Sequence, residues 1–160
     1  NQLLERMIVY SDNDAETFLL YHISQKYFED VFSDLGLPPP STVHESKVTP
    51  KQFAFFLRIL YNASYLSRSY SEQALKLLSG VDFSDGMRAP IPEKITIAHK
   101  FGEFISVRGN IKIIELHECG VIYAKNPYIV CIMTRGMTLK NNKKVLQDIT
   151  KILYDGQKNL

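Results

Sequence analysis

Residues 120–134 read GVIYAKNPYIVCIMT, which is two apolar runs separated by a turn signal. The first run ends at Ala124 and the second begins at Tyr128, and the Lys-Asn-Pro between them is typical of a hairpin connection. Residues 129–133 are apolar without a break, the pattern of a strand that is covered on both faces and central in its sheet. We therefore predict an antiparallel hairpin whose second strand is paired on both sides. Because the sequence offers only three strands, we expect one of the two partners to come from outside this chain.

The segments on either side of this hairpin add one strand and one helix. Residues 95–98 alternate in strand style and lead into the Lys-Phe-Gly of residues 100–102, where we expect that strand to end. After the hairpin, an apolar stripe at helical spacing predicts a closing helix. The stripe consists of Val145, Ile149, Ile152 and Leu153.

The first part of the chain shows only helical periodicity and loops. A first helix ends just before the polar Ser-Asp-Asn of residues 11–13, and either Asp12 or Asn13 is suited to cap the next helix. Further helices are predicted over residues 18–23 and 27–35, from Thr49-Pro50 onward, and from about Ser71 to Gly80. The order of elements predicts an α+β fold, with a helical part over residues 1–92 and strands plus a closing helix over 93–160.

Composition excludes several classes of protein. The chain has 160 residues, 45% of them hydrophobic, and a net charge of 19 − 17 = +2, so no electrostatic footprint for nucleic acid is present. No apolar run approaches the roughly 18 residues that span a bilayer, and no secretory signal pattern is visible. Cys119 and Cys131 lack metal-ligand spacing and are predicted to be two small buried hydrophobes.

Two short pieces carry possible chemistry. Ser-Asp-Asn at residues 11–13 lies between two helices, and Lys-Phe-Gly at residues 100–102 follows a strand. Alone, the first is most often a turn with a helix cap and the second a strand terminus. Together they match two of the three sequence elements of serine β-lactamases and penicillin-binding proteins, namely Ser-Asp-Asn and Lys-Thr-Gly.

The surrounding sequence resembles that family in the same order along the chain. The similar passages are residues 7–15 around Ser-Asp-Asn, residues 49–50 with the aromatic helix after them, residues 71–75, residues 98–103, and the hairpin residues 116–123 and 127–130. The chain thus resembles the C-terminal portion of a single class A β-lactamase-like domain. The resemblance implies a β-lactamase/transpeptidase-like α+β fold, with the closing helix packed on the sheet, and an extracytoplasmic location, periplasmic or at the cell surface.

The resemblance also implies roles for individual residues. Ser11 would protonate the leaving nitrogen, and Lys100 would be a fixed cation near Ser11 and the substrate carboxylate. Asn13 would hold the substrate amide carbonyl, and the backbone N–H of Glu103 would belong to the oxyanion hole. Phe101 and Gly102 would line the substrate site. This chemistry requires no cofactor and no metal.

Three departures from the family pattern bear on function. No Ser-x-x-Lys occurs in the 160 residues, so we expect the nucleophile on a complementary N-terminal segment of the same domain. Phe101 replaces the threonine of Lys-Thr-Gly, which removes a hydroxyl that binds carboxylate. The connection between Leu37 and Val48 has no Glu-x-x-Leu-Asn, whose glutamate helps to activate the deacylating water, and Glu45 is its only acidic residue.

These departures leave three functions open. The first is a serine β-lactamase-type hydrolase of β-lactam amide bonds, and the second is a peptidoglycan D,D-peptidase acting on D-Ala-D-Ala peptides. The third is a non-catalytic binding domain that keeps the fold, a possibility that Phe101 favours. Of the histidines, His99 is predicted to be structural, because it precedes Lys100 on a strand and points to the opposite face. His117 either lines the site or satisfies a buried polar contact, and we favour the contact.

Overall fold

The computed structural model describes residues 2–37, 48–136 and 138–157, except for the side chain of Arg108. The helices are α1 (Gln2–Val9), α2 (Asn13–His22), α3 (Gln25–Asp34), α4 (Pro50–Asn62), α5 (Arg68–Ser79) and α6 (Leu139–Gln157), and the strands are β1 (Ile97–Arg108), β2 (Ile111–Ile122) and β3 (Tyr128–Arg135). This order confirms the predicted α+β class. Within these described ranges, no helix is both long and apolar enough to cross a membrane.

The three strands form an antiparallel sheet in the order β1-β2-β3. Among the described strands β2 is therefore central, and β3 lies at an edge with β2 as its neighbour. That a strand from outside this chain pairs with the other edge of β3 stays a prediction. Residues 129–133 are all apolar because helices pack on both sides of the sheet and cover both faces of β3. This apolar run carries no information about pairing along both edges of the strand.

The first hairpin is longer than the sequence suggested. The prediction that β1 ends near Gly102 is wrong, because β1 continues to Arg108 and pairs with β2 along its whole length. The two strands are joined through Gly109 and Asn110, and Gly109 has φ +59°, a backbone conformation that glycine adopts without steric cost. Gly-Asn is a known two-residue turn signal, but the polar residues around it obscure the strands on either side.

The sheet separates two layers of core side chains. One layer lies beneath α6; its buried members are Met87, Ile91, Ile97, Leu116, Ile122, Val130, Ile132, Leu146 and Tyr154. The other lies against α4 and α5 and consists of Leu57, Leu75, Leu78, Ala98, Cys119 and Val121. Consecutive residues of each strand therefore face different layers, as the two-residue period of a strand requires.

Helix starts are set by side-chain caps. The predicted start at Thr49 is confirmed, since Thr49 Oγ1 accepts from the N–H of Gln52 and the Gln52 side chain accepts from the N–H of Thr49. Helix α5 begins at Arg68, three residues before the predicted start at Ser71. The cap is Ser67, and Ser71 lies buried in the second turn of α5.

Cys119 and Cys131 form a disulfide, which corrects the prediction of two small buried thiols. The two residues are directly opposite in the β2–β3 register, with their Cα atoms 4.0 Å apart. Both side chains point to the face covered by α4 and α5. The sequence separation of 12 does not reveal the register that brings the two sulfurs together.

A buried polar pair occupies the opposite face of the sheet. His99 Nδ1 donates to Glu118 Oε1 at 2.6 Å, and Glu118 Oε2 accepts from the N–H of Met87 at 2.8 Å. Glu118 is fully buried and His99 is 2% exposed. The backbone at Gly86 lies so close to the Glu118 carboxylate that a Cβ on Gly86 would be 1.9 Å from Glu118 Oε2. His99 is thus structural, as predicted.

Candidate active site

The Ser-Asp-Asn turn is held by the end of α1. The Arg6 carbonyl accepts from the N–H groups of Tyr10 and Asp12, at 3.2 and 3.1 Å. Ser11 lies between these two donors and has φ +53°, in the left-handed region that non-glycine residues rarely adopt. Such a conformation costs on the order of 1–3 kcal/mol and persists only where neighbouring contacts impose it.

Asp12 fixes the start of α2, as predicted. Its Oδ1 accepts from the N–H groups of Asp14 and Ala15, each at 3.0 Å, and its Oδ2 forms an ion pair with Arg6 at 2.6 Å. The hydrogen bond from Ala15, followed by that from Arg6, holds the pKa of the Asp12 carboxyl below its ordinary value. Asp12 therefore positions its two neighbours, Ser11 before the helix and Asn13 in its first turn.

Lys100 meets Ser11 across 89 positions of sequence. Lys100 Nζ donates to Ser11 Oγ, which confirms the prediction that the two side chains lie side by side. An ammonium has no acceptor, so the oxygen of Ser11 is the acceptor in this bond. The hydroxyl hydrogen of Ser11 is therefore free to point toward another group.

All six predicted site residues line one cleft of about 600 Å³ between the helices and β1. The six are Ser11, Asn13, Lys100, Phe101, Gly102 and Glu103. Apolar side chains from α1, α4 and α5 form much of the remaining wall: Met7, Ile8, Phe53, Phe56, Leu57, Leu60, Ala74 and Leu78. A mainly apolar cleft with a few convergent polar groups is the usual form of a small-molecule site.

The electrostatics of the cleft centre on Lys100. Burial lowers the pKa of its ammonium, and the negative charge of Glu16 opposes that shift. Glu16 lies on α2 three residues after Asn13 and lines the same cleft, although the sequence reasoning passed over it. The signal was available, since residues three apart on a helix share a face.

Phe101 turns its ring toward the core instead of offering a polar group to the cleft. The ring stacks on Phe83 with centroids 4.3 Å apart and planes 21° from parallel. Lys100 Nζ lies 4.8 Å from the centroid of the Phe101 ring, within the range of a cation–π contact. Phe101 thus supports the ammonium from one side while Ser11 accepts its hydrogen bond.

A second cleft, of about 520 Å³, shares the wall formed by residues 100–102. His117 lines it, and His117 Nε2 lies 3.4 Å from Glu115 Oε2. The Nδ1 atom of His117 is buried and has no hydrogen-bond partner among the described residues. His117 therefore both lines a cleft and lies beside a polar partner, the two alternatives that the sequence left open.

The expected position of a deacylating base lies outside the described residues. Glu45, considered as a substitute for the missing glutamate, falls between the described ranges, as does the proline run at residues 38–40. Ser-x-x-Lys does not occur in the sequence, so the chain contributes no nucleophile of that pattern to the cleft.

Comparison with known proteins agrees with this geometry. The sequence profile of the β-lactamase enzyme family, Beta-lactamase2, matches residues 1–157, whereas curated protein sequences give no match. Among solved structures, PBP-A is similar with a TM-score of 0.82 and 16% identity, over 99% of this chain and 61% of that protein. A β-lactamase from Sphaerobacter thermophilus is similar with a TM-score of 0.81 and 20% identity, over 99% and 63%.

A PBP-A variant in an acyl-enzyme complex with penicillin G is also similar, with a TM-score of 0.78 and 17% identity, over 99% of this chain and 61% of that protein. The chain thus spans about three-fifths of the length of these structures. At such identities the structural likeness establishes the fold. Because the family profile covers nearly the whole sequence and the fold agrees with it, the chain belongs to the β-lactamase enzyme family.

Proposed function

We propose that the chain is the larger part of a serine hydrolase that opens β-lactam amide bonds through an acyl-enzyme. The contact between Lys100 Nζ and Ser11 Oγ, in a cleft that Asn13 also lines, carries this proposal. A fixed cation, a hydroxyl with a free hydrogen and an amide side chain in one apolar cleft are among the groups that acyl transfer from an amide uses.

In the proposed mechanism, Ser11 acts as the general acid for the expelled nitrogen. The Lys100 ammonium donates to Ser11 Oγ, so the hydroxyl hydrogen of Ser11 is available to the leaving group. Proton transfer from Ser11 is favoured because the cation beside it stabilises the alkoxide that forms. Lys100 also attracts the carboxylate that penicillins carry.

The other four residues bind and polarise the substrate. The Asn13 side-chain NH₂ donates to the substrate amide carbonyl, and the N–H of Glu103 donates to the developing oxyanion. An edge strand suits the second task, because alternate N–H groups of β1 point away from β2. Gly102 leaves open space above the strand, since a Cβ there would contact nothing within 4 Å. Phe101 holds Lys100 in place through its ring.

The nucleophilic serine of the proposed mechanism comes from a complementary segment outside these 160 residues. Two observations support that source: the sequence lacks Ser-x-x-Lys, and the chain spans about three-fifths of the length of similar structures. We further propose that this segment pairs with β3, whose backbone partners among the described strands all belong to β2.

Mass spectrometry of the complete gene product after incubation with benzylpenicillin tests the proposal. We expect a covalent adduct of one penicillin per protein, on a serine outside residues 1–160. The adduct should persist, because no Glu-x-x-Leu-Asn glutamate is present in the sequence to activate water. Absence of any adduct, with the protein folded, would identify a non-catalytic domain that has kept the fold and would contradict the proposal.

A second candidate function is a peptidoglycan D,D-peptidase, and the same missing glutamate favours it. Release of D-Ala from a D-Ala-D-Ala peptide by the complete protein, together with a stable penicillin adduct, would identify the peptidase. An extracytoplasmic location forms part of either proposal. The Cys119–Cys131 disulfide supports it, since disulfides persist mainly in oxidising compartments.

A further inference from the structure

Glu16 is a charged residue of the cleft to which the proposed mechanism assigns no role. It lies in the first turns of α2, three residues after Asn13, and both side chains line the cleft with Ser11 and Lys100. Asn13 and Glu16 therefore share one face of the helix. Asp14, two residues before Glu16, is equally exposed and does not line the cleft.

The charge of Glu16 acts within the cleft. The negative charge of Glu16 raises the pKa of the Lys100 ammonium against the lowering that burial causes, so the field of Glu16 reaches the ammonium. Glu16 has no ion-pair partner at contact distance among the described residues. Its carboxylate is therefore available to a cation that enters with the substrate.

The position of Glu16 relative to Asn13 indicates which part of a substrate it meets. In the proposed function, Asn13 holds the amide carbonyl of the acylamino side chain, and the substituent beyond that carbonyl continues along the cleft wall. Three residues along a helix correspond to about 4.5 Å of rise, roughly the length of two or three covalent bonds. The substituent on the carbon next to the carbonyl thus lies within reach of Glu16.

We propose that Glu16 selects substrates that carry an ammonium group on the carbon adjacent to the amide carbonyl held by Asn13. This inference rests on the proposed function and refines its substrate class. The corresponding peptide substrate has a free N-terminal α-amine on the residue that precedes D-Ala-D-Ala. A carboxylate at this point stabilises such a cation and disfavours a carboxylate substituent.

Two penicillins provide the test, since ampicillin is benzylpenicillin with an amino group on that carbon. We would measure second-order acylation rate constants of the complete protein for both compounds at about pH 6, where the amine is protonated and a carboxylate is ionised. Glu16→Gln should lower the ratio of ampicillin to benzylpenicillin rates about fivefold, the effect of one exposed ion pair at contact distance. Asp14→Asn removes the same charge from the same helix turn and should leave the ratio unchanged.

Each alternative outcome has a distinct meaning. Acylation by both penicillins with an unchanged ratio in Glu16→Gln would overturn the selectivity and leave the proposed function standing. An equal fall in Asp14→Asn would also overturn it, because the effect would then belong to the general field of the helix terminus. Failure of both penicillins to acylate the wild-type protein would overturn the proposed function and the selectivity with it.

Discussion

His99 and Lys100 are neighbours in sequence, yet they face opposite sides of β1 and have opposite surroundings. His99 is 2% exposed and hydrogen-bonds to the fully buried Glu118, whose other oxygen is also bonded. Lys100 is half-buried, lies against an open cleft, and donates to a serine in a left-handed backbone conformation. The first pair is almost completely shielded from solvent, whereas the second lies against a cleft wide enough for a ligand.

The contrast separates a structural polar pair from one that we propose to be functional. The buried pair, in which both Glu118 oxygens are bonded, holds the loop at Met87 against the sheet. Lys100 is partly desolvated, which lowers the pKa of its ammonium. Its position is fixed by the hydrogen bond to Ser11 and by the Phe101 ring. An ammonium has three donors, so Lys100 can still donate to a ligand. Burial and completeness of hydrogen bonding, more than residue type, distinguish the two sites.

The largest expected effect on stability comes from breaking the buried pair. Glu118→Ala leaves the His99 imidazole and the Met87 N–H without their partner in the core, so the free energy of unfolding should fall by about 3–5 kcal/mol. Urea denaturation followed by circular dichroism measures the change. Glu115→Ala on the same strand removes a partly exposed ion pair with Arg135 and should cost about 1 kcal/mol or less. If both variants lost the same free energy of unfolding, the buried pair at Glu118 would be no more important for stability than the partly exposed pair at Glu115.

On the open side, Lys100→Met should affect acylation and not stability. We expect acylation by benzylpenicillin to slow by about 10²–10³-fold, because the cation that stabilises developing charge is lost. The free energy of unfolding should not fall, since burial lowers the pKa of this ammonium and therefore opposes folding at pH values below the lowered pKa. Lys94→Met, at an exposed position upstream of β1, is the matched control and should change neither quantity. A Lys100 variant that unfolds while acylating normally would assign Lys100 to the structural class.

The disulfide is a stabilising element on the functional face, in register with Lys100. Replacing both Cys119 and Cys131 by serine should lower the free energy of unfolding by about 2–3 kcal/mol, because the β2–β3 loop gains freedom in the unfolded chain. Wild-type protein unfolded in the presence of a reductant should match the double variant. Full stability in the double variant would show that the bond adds nothing to the hairpin.

The smallest predicted effect concerns the backbone of Ser11. Glycine adopts φ values near +53° without the steric cost that serine has, so Ser11→Gly should raise the free energy of unfolding by about 1 kcal/mol while slowing acylation. Ala63 closes α4 with φ +49° and lies outside the cleft. Ala63→Gly should therefore stabilise the protein by a similar amount with no change in acylation. Destabilisation by Ser11→Gly would mean that the hydroxyl bond to Lys100 outweighs the backbone strain.

Local periodicity predicted the element order. The six predicted site residues came from the resemblance to the β-lactamase family, which two motifs carry, and all six line one cleft. Sequence reasoning missed the disulfide and the long first hairpin, both of which depend on strand register. Register follows from tertiary packing and from the Gly109-Asn110 turn, and residue types near Gly102 do not encode it. The prediction that both faces of β3 are covered is confirmed, whereas a second strand partner for β3 stays a prediction.

Buried charge was also beyond sequence reasoning. Glu118 lies in a run of mixed polarity, Leu-His-Glu-Cys-Gly, where nothing marks it as fully buried, and only the fold shows Gly86 leaving room for its carboxylate. Glu16 was detectable, since its spacing from Asn13 places both on one face of α2, but a single exposed acid is usually a solvated side chain.

The central claim is that Ser11 and Lys100 act as one unit in acyl transfer, and a double-mutant cycle on the acylation rate of the complete protein tests it most directly. Ser11→Ala, Lys100→Met and the combined variant would be compared with wild type, using benzylpenicillin. If the lysine acts through the serine hydroxyl, each single variant should slow acylation by about 10²–10³-fold and the double variant by little more than the worse single. Losses that multiply in the double variant, or single variants that acylate at the wild-type rate, would contradict it.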